Sequence, residues 1–163
     1  MNYSQTAISN FKNGNNFYKI ERYQEALEKF EKAVDEDLSF YEAHFSIAKT
    51  NSRLKNYPKA IEAFKIAMKF VPEDSRSQFV FGFMNILQQD GFIKQAIALY
   101  ESINFKLDTA ANKKYLTLLL QNNETSKFLK LCFTLLPLQS RESSVKEILT
   151  NSFIPVETKN FIT

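Results

Sequence analysis

Three stretches decide the fold: Glu21-Arg-Tyr-Gln-Glu-Ala-Leu-Glu-Lys-Phe-Glu-Lys-Ala33, Lys55-Asn-Tyr-Pro-Lys-Ala-Ile-Glu-Ala-Phe-Lys-Ile-Ala67 and Gly91-Phe-Ile-Lys-Gln-Ala-Ile-Ala-Leu-Tyr-Glu-Ser-Ile103. Ala26, Ala60 and Ala96 align, 34 and then 36 residues apart. Four residues after each comes an aromatic: Phe30, Phe64 or Tyr100. Three residues before each stands Tyr23, Tyr57 or Ile93, and seven after stands Ala33, Ala67 or Ile103. Spacings of three and four put these residues on one face of a helix. A small Ala lets a neighbouring helix come close, and the aromatic fills the space beside it. Glu25 and Lys29, and Glu28 and Lys32, have the spacing of exposed ion pairs. Pro58 suits a first helical turn behind an Asn56 cap.

Composition agrees with helices. Of 163 residues, 44% are apolar and 24% charged, which predicts one folded domain, and 3 Gly with 4 Pro are too few for a turn-rich β-sandwich. No apolar run is long enough to cross a bilayer, and Met1-Asn2-Tyr3-Ser4-Gln5 lacks the features of a secretory leader, so the expected location is cytoplasmic. Up to Phe105 the 13 basic and 13 acidic residues cancel, and the remainder, with 8 basic and 5 acidic, supplies the net charge of +3. That bias is too mild, and with 17 Lys to 4 Arg too poor in Arg, to predict nucleic-acid binding.

The three units resemble tetratricopeptide repeats, whose signature joins Ala to an aromatic four residues on and closes each unit near a Pro. Pro72 holds the closing place in the second unit, while Leu38 and Asp108 depart from it. Gly14 and Phe17 match the family's Gly-x-x-aromatic in unit one; Ala48 fits the small place in unit two, where Asn51 replaces the aromatic. The resemblance covers about residues 7–104. It implies an all-α fold, a right-handed α-solenoid of antiparallel helix pairs with C-terminal capping helices. The expected layout is a single domain over 1–163, with repeats at 7–40, 41–74 and 75–107. Residues 108–163 then form a degenerate fourth pair and a capping helix. There Asp108 caps a helix to about Gln121, Asn122-Asn123 turns, and a partner helix runs from about Glu124 to Leu136 before Pro137. Ser144-Val-Lys-Glu147 reads as a capping box opening a last helix, with Phe153-Ile154 stapling its end.

In the family the first helix of each pair lines a concave groove. Fifteen residues before the Ala anchors stand Phe11, Phe45 and Phe81, and eleven before stand Asn15, Lys49 and Asn85. Tyr18 and Arg53 lie a further turn on. The resemblance implies that these eight residues form a partner-binding wall. A phase shift of one residue would instead make the Phe row core, the 36-residue spacing leaves the phase of the third unit open, and the C-terminal helix could fold into the groove and occupy it. The family's two-carboxylate clamp for acidic chaperone tails maps onto Phe11, Asn15, Ser46, Gln78 and Gly82. If the extra residues lie later, the last two become Arg76 and Val80. In the first mapping only Asn15 keeps the family's residue, and the second restores one cation but leaves the clamp incomplete, so binding of such tails is disfavoured.

No catalytic or metal-binding residues and no cofactor are expected. The chain lacks a Gly-rich phosphate loop, HExxH and GxSxG. Cys132 lies in the apolar stretch Phe128-Leu-Lys-Leu-Cys-Phe-Thr-Leu-Leu, far in sequence from His44, itself spaced with Ile47 and Ala48 as a packed side chain. The function expected is a non-enzymatic adaptor binding a protein or peptide segment with apolar side chains in the groove. The alternatives are a chaperone for a secreted or assembling client and a self-assembling structural subunit.

Overall fold

A computed structural model describes residues 3–151, apart from the side chains of Phe133, Leu138 and Asn151. Among these residues every regular element is helical. The chain divides into two compact units, Met1–Arg76 and Ser77–Thr163. The first holds α1 (Gln5–Lys19), α2 (Tyr23–Glu36), α3 (Tyr41–Arg53) and α4 (Tyr57–Phe70). The second holds α5 (Arg76–Gln89, its first residue at the boundary), α6 (Ile93–Glu101), α7 (Thr109–Gln121), α8 (Thr125–Leu135) and α9 (Arg141–Asn151). Within the first unit α1 packs on α2, α2 on α3 and α3 on α4. Within the second, α7 packs on α6 and α8, and α9 lies against both α7 and α8.

One turn recurs four times. Glu21 (φ 60°), Lys55 (φ 61°), Gly91 (φ 86°) and Asn123 (φ 60°) sit in the left-handed region between the two helices of each hairpin. The next amide reaches back over the helix end: Arg22 to Phe17 O, Asn56 to Asn51 O, Phe92 to Leu87 O and Glu124 to Leu119 O, at 2.7–3.0 Å. These bonds satisfy carbonyls that the helix end leaves open. Gly91 and Asn123 suit the conformation; Glu21 and Lys55 adopt it at a cost of about 1–2 kcal/mol each. The fourth turn shows that residues 109–135 form a hairpin equivalent to the other three, with Phe128 in the place of the Ala anchor.

The anchors do what their size suggests. Ala26, Ala60, Ala96, Ala33 and Ala67 are fully buried, as are Phe30 and Phe64. Each buried Phe contributes about 2–3 kcal/mol. Gly14 lies under Phe30: a Cβ built there would stand 2.6 Å from the ring carbons Cδ1 and Cε1. Tyr3 ties the start of the chain to α3, stacking on Phe40 with ring centroids 3.9 Å apart and donating to Glu42 Oε2 at 2.9 Å. Asp108 caps α7 by accepting from the Ala111 amide at 2.8 Å.

Three local expectations change. Asn56 occupies the N-cap position of α4 but makes no side-chain capping bond. Glu25 pairs with Arg22 rather than Lys29, because the guanidinium at the N-cap of α2 reaches it first. The capping box at Ser144–Glu147 does not open a helix. A 3-10 turn over Leu138–Ser140 leads into α9 from Arg141, so Ser144 lies within the helix, buried and without a hydrogen-bond partner among the described residues. Phe153 and Ile154 lie outside the described residues.

Three outcomes follow from this packing. Gly14→Ala gains about 1 kcal/mol of helix propensity but overpacks a fully buried ring at a cost of about 1–3 kcal/mol. The expected result is a lower melting temperature by circular dichroism; an unchanged or higher one contradicts the close contact. His44 is 7% exposed, its Nε2 3.0 Å from Leu38 O, and burial pushes its pKa down. The unfolded chain therefore takes the proton first as pH falls below about 6.5, and stability declines from there towards the folded-state pKa. Melting temperatures at pH 7 and pH 5 should differ more for the native protein than for His44→Gln; equal differences refute a destabilising protonation. Burial raises the Cys132 thiol to about 11, so at pH 8 a thiol reagent should label it quickly only after unfolding.

Candidate functional site

The left-handed turns fix the register of the first helices. Because α1, α3, α5 and α7 run unbroken towards their turns, residues at one offset from the turn are equivalent. Ten residues before it stand Phe11, Phe45, Phe81 and, in the fourth hairpin, Lys113; six before stand Asn15, Lys49, Asn85 and Thr117. The two additional residues of the third unit fall at or before the start of α5, around the 3-10 turn Glu73–Ser75. The third unit is thus in phase with the first two, and the last two clamp places are Gln78 and Gly82.

In the first unit, the Phe11 ring meets Phe30 at 5.7 Å and Phe40 at 4.9 Å between centroids, and packs on the cluster of Ala7, Ala33, Val34, Phe40 and Ala43. Phe11 therefore takes part in helix packing while remaining partly exposed. Phe45 lies 6.2 Å from Phe64. Tyr18, Phe45, Lys49 and Arg53 come together. The Lys49 ammonium lies 5.2 Å from the Tyr18 ring centroid and 5.8 Å from that of Phe45. Arg53 Nε donates to the Tyr18 hydroxyl at 3.3 Å. Burial, and then the charge of Arg53, push the Lys49 pKa down. Asn15 is half-buried, and its amide has no hydrogen-bond partner among the described residues.

In the second unit, Phe81 and Asn85 line a cleft of about 660 Å³. Its other walls are Lys113, Lys114, Thr117 and Gln121 of α7 and Glu147 and Ile148 of α9. Lys113 donates to Glu147 Oε2 at 2.7 Å, joining α7 to α9. Lys114 donates to Gln88 Oε1, and the Gln88 amide donates in turn to Gln121 Oε1. Burial pushes the Lys114 pKa down. The Asn85 amide, like that of Asn15, has no partner among the described residues. The α7 and α9 residues of this cleft were not foreseen, because Phe128 hides the fourth anchor. Asn123, a residue tolerant of the left-handed region, was the available signal.

Among the described residues no group of three or more His, Cys, Asp or Glu is placed to hold a metal ion. No described helix is long and apolar enough to cross a membrane. His44 stacks near Phe70 at 6.3 Å, as a packed side chain.

No protein-family profile and no curated protein sequence matches the chain. Among solved structures it is similar to YrrB, whose crystal structure is described as that of a TPR protein with an unusual peptide-binding site. The TM-score is 0.56 at 19% identity, over 87% of this chain and 68% of that one. With its recurrent hairpins and Ala–aromatic anchors, the chain has the tetratricopeptide-repeat fold, an all-α array of consecutive helix pairs.

Proposed function

We propose that this chain is a non-catalytic, cytoplasmic adaptor that binds a segment of a partner protein on the first helices of its hairpins. The observation that carries this is a repeated pair: a partly exposed aromatic with, one helical turn on, a polar group that makes no hydrogen bond among the described residues. The pairs are Phe11 with Asn15, Phe45 with Lys49 and Phe81 with Asn85. The rings offer apolar contact to side chains, and an Asn amide both donates to and accepts from a peptide backbone. Half-buried amides with no internal partner are suited to an external one, because folding has already removed part of their water. The similar YrrB is described as having a peptide-binding site, which supports a peptide as the ligand class.

The test is selection from a random peptide library displayed on phage, followed by titration of a selected synthetic peptide. Asn15→Ala removes one backbone contact in the first unit and leaves the described packing intact. At about 1 kcal/mol for the lost hydrogen bond, affinity should fall about fivefold. A library that yields no binder, or an affinity unmoved by Asn15→Ala, overturns the reading.

A further inference from the structure

Lys49 differs from the other cations of the candidate surfaces. Lys113 has Glu147. Lys114 is held by the Gln88 amide oxygen. Lys49 is half-buried between the Tyr18 and Phe45 rings, with neither a hydrogen bond nor an acidic partner among the described residues. Arg53 lies on the same helix one turn on and adds positive charge rather than cancelling it. Two aromatic faces stabilise an ammonium only in part. Both ring and stem have lost water without gaining a counter-charge, so an incoming anion meets a cation that is already partly desolvated.

We propose that Lys49 is a specificity-determining contact for one side-chain carboxylate, an Asp or Glu within the partner segment, with Tyr18 and Phe45 packing against the carbons that flank it. This rests on the peptide-binding reading above and names the chemistry of its ligand. A single ammonium is a point charge that suits one carboxylate. Arg53 already commits its Nε–H to Tyr18, which engages one edge of the planar fork that favours phosphate. The site is not the two-carboxylate clamp, whose places here hold Phe11, Asn15, Ser46, Gln78 and Gly82. One internal acid is read, and a free chain end is not required.

The experiment displays random peptides with their C-termini fused to the phage coat, so that no free peptide C-terminus is offered. Selection runs in parallel on the native protein and on Lys49→Met, with folding of both checked by circular dichroism. The native protein should enrich Asp or Glu at one position several-fold over the starting library, and Lys49→Met should lose that enrichment. A selected peptide whose acid is replaced by its amide should bind the native protein about tenfold more weakly, while Lys49→Met binds acid and amide forms alike. Lys49→Arg should keep the preference. Peptides recovered without an acidic preference, or an acid–amide difference that survives Lys49→Met, overturn this proposal and leave the peptide-binding reading standing. Recovery of no peptide overturns both. If Lys49→Met fails to fold, the acid–amide comparison on the native protein and on Lys49→Arg still decides, since equal affinities refute a carboxylate contact.

Discussion

Each hairpin is closed by one residue held in the left-handed region, and the register of everything before it follows from that residue. At Glu21, Lys55, Gly91 and Asn123 the chain reverses, and the next amide is drawn back onto a carbonyl of the final helical turn. The anchor of the second helix then arrives five residues later, at Ala26, Ala60, Ala96 or Phe128. A helix advances by a fixed angle per residue, so a fixed offset from the turn means a fixed direction on the first helix. This is why Phe11, Phe45, Phe81 and Lys113 are equivalent despite repeat spacings that are not constant. It also explains where length varies without harm: in the connections between hairpins, 37–40, 71–75 and 102–108, where no such offset must be kept.

The hairpins that carry Ala and an aromatic on the second helix were legible, because that pair has one structural meaning at that spacing. Ala26 beneath its neighbours and Phe30 over Gly14 are consequences of side-chain size alone. The fourth hairpin was legible as a degenerate pair, without its anchor. Phe128 stands where the smallest side chain was expected, and the equivalence appears only in the backbone angle of Asn123. Ser144 and Glu147 failed for a related reason. A capping box specifies a helix start only if the residues before it are not helical, and Arg141-Glu-Ser continue the helix backwards to the turn after Pro137. Local patterns gave the wrong boundary where the preceding turn had already set it.

The candidate surfaces were legible as positions but not as chemistry. Counting back from the anchors placed Lys49 near Tyr18 and Phe45, yet nothing in the sequence tells whether an ammonium there meets an acid. That depends on which carboxylates the fold delivers. Glu25 illustrates it: its spacing to Lys29 was right, but Arg22 lies nearer in space and takes it. The buried polar run of α3 makes the same point. Thr50 donates to Ser46 O at 2.7 Å and Asn51 to Ile47 O at 3.0 Å, so both side chains are satisfied by their own helix. Lys49 lies one residue before Thr50, but its long stem carries the charge beyond reach of those carbonyls and out between the rings.

Lys113 and Lys49 therefore show one electrostatic demand met in two ways. Lys113 occupies the Phe slot of the fourth hairpin, and α9 brings Glu147 to it. The protein supplies that carboxylate from its own chain, at a partly exposed pair whose contribution to stability is below about 1 kcal/mol. Lys49 is drier, because two rings replace water on its sides, and a carboxylate placed there would interact more strongly than one at the surface. The described residues leave it without an acid. A cation that served only to hold α1 against α3 would do so better with a carboxylate in reach, or as an apolar side chain with no desolvation cost. On the reading proposed above, a charge half-buried at a partly exposed position, with no acid among the described residues, meets its counter-charge from outside the chain.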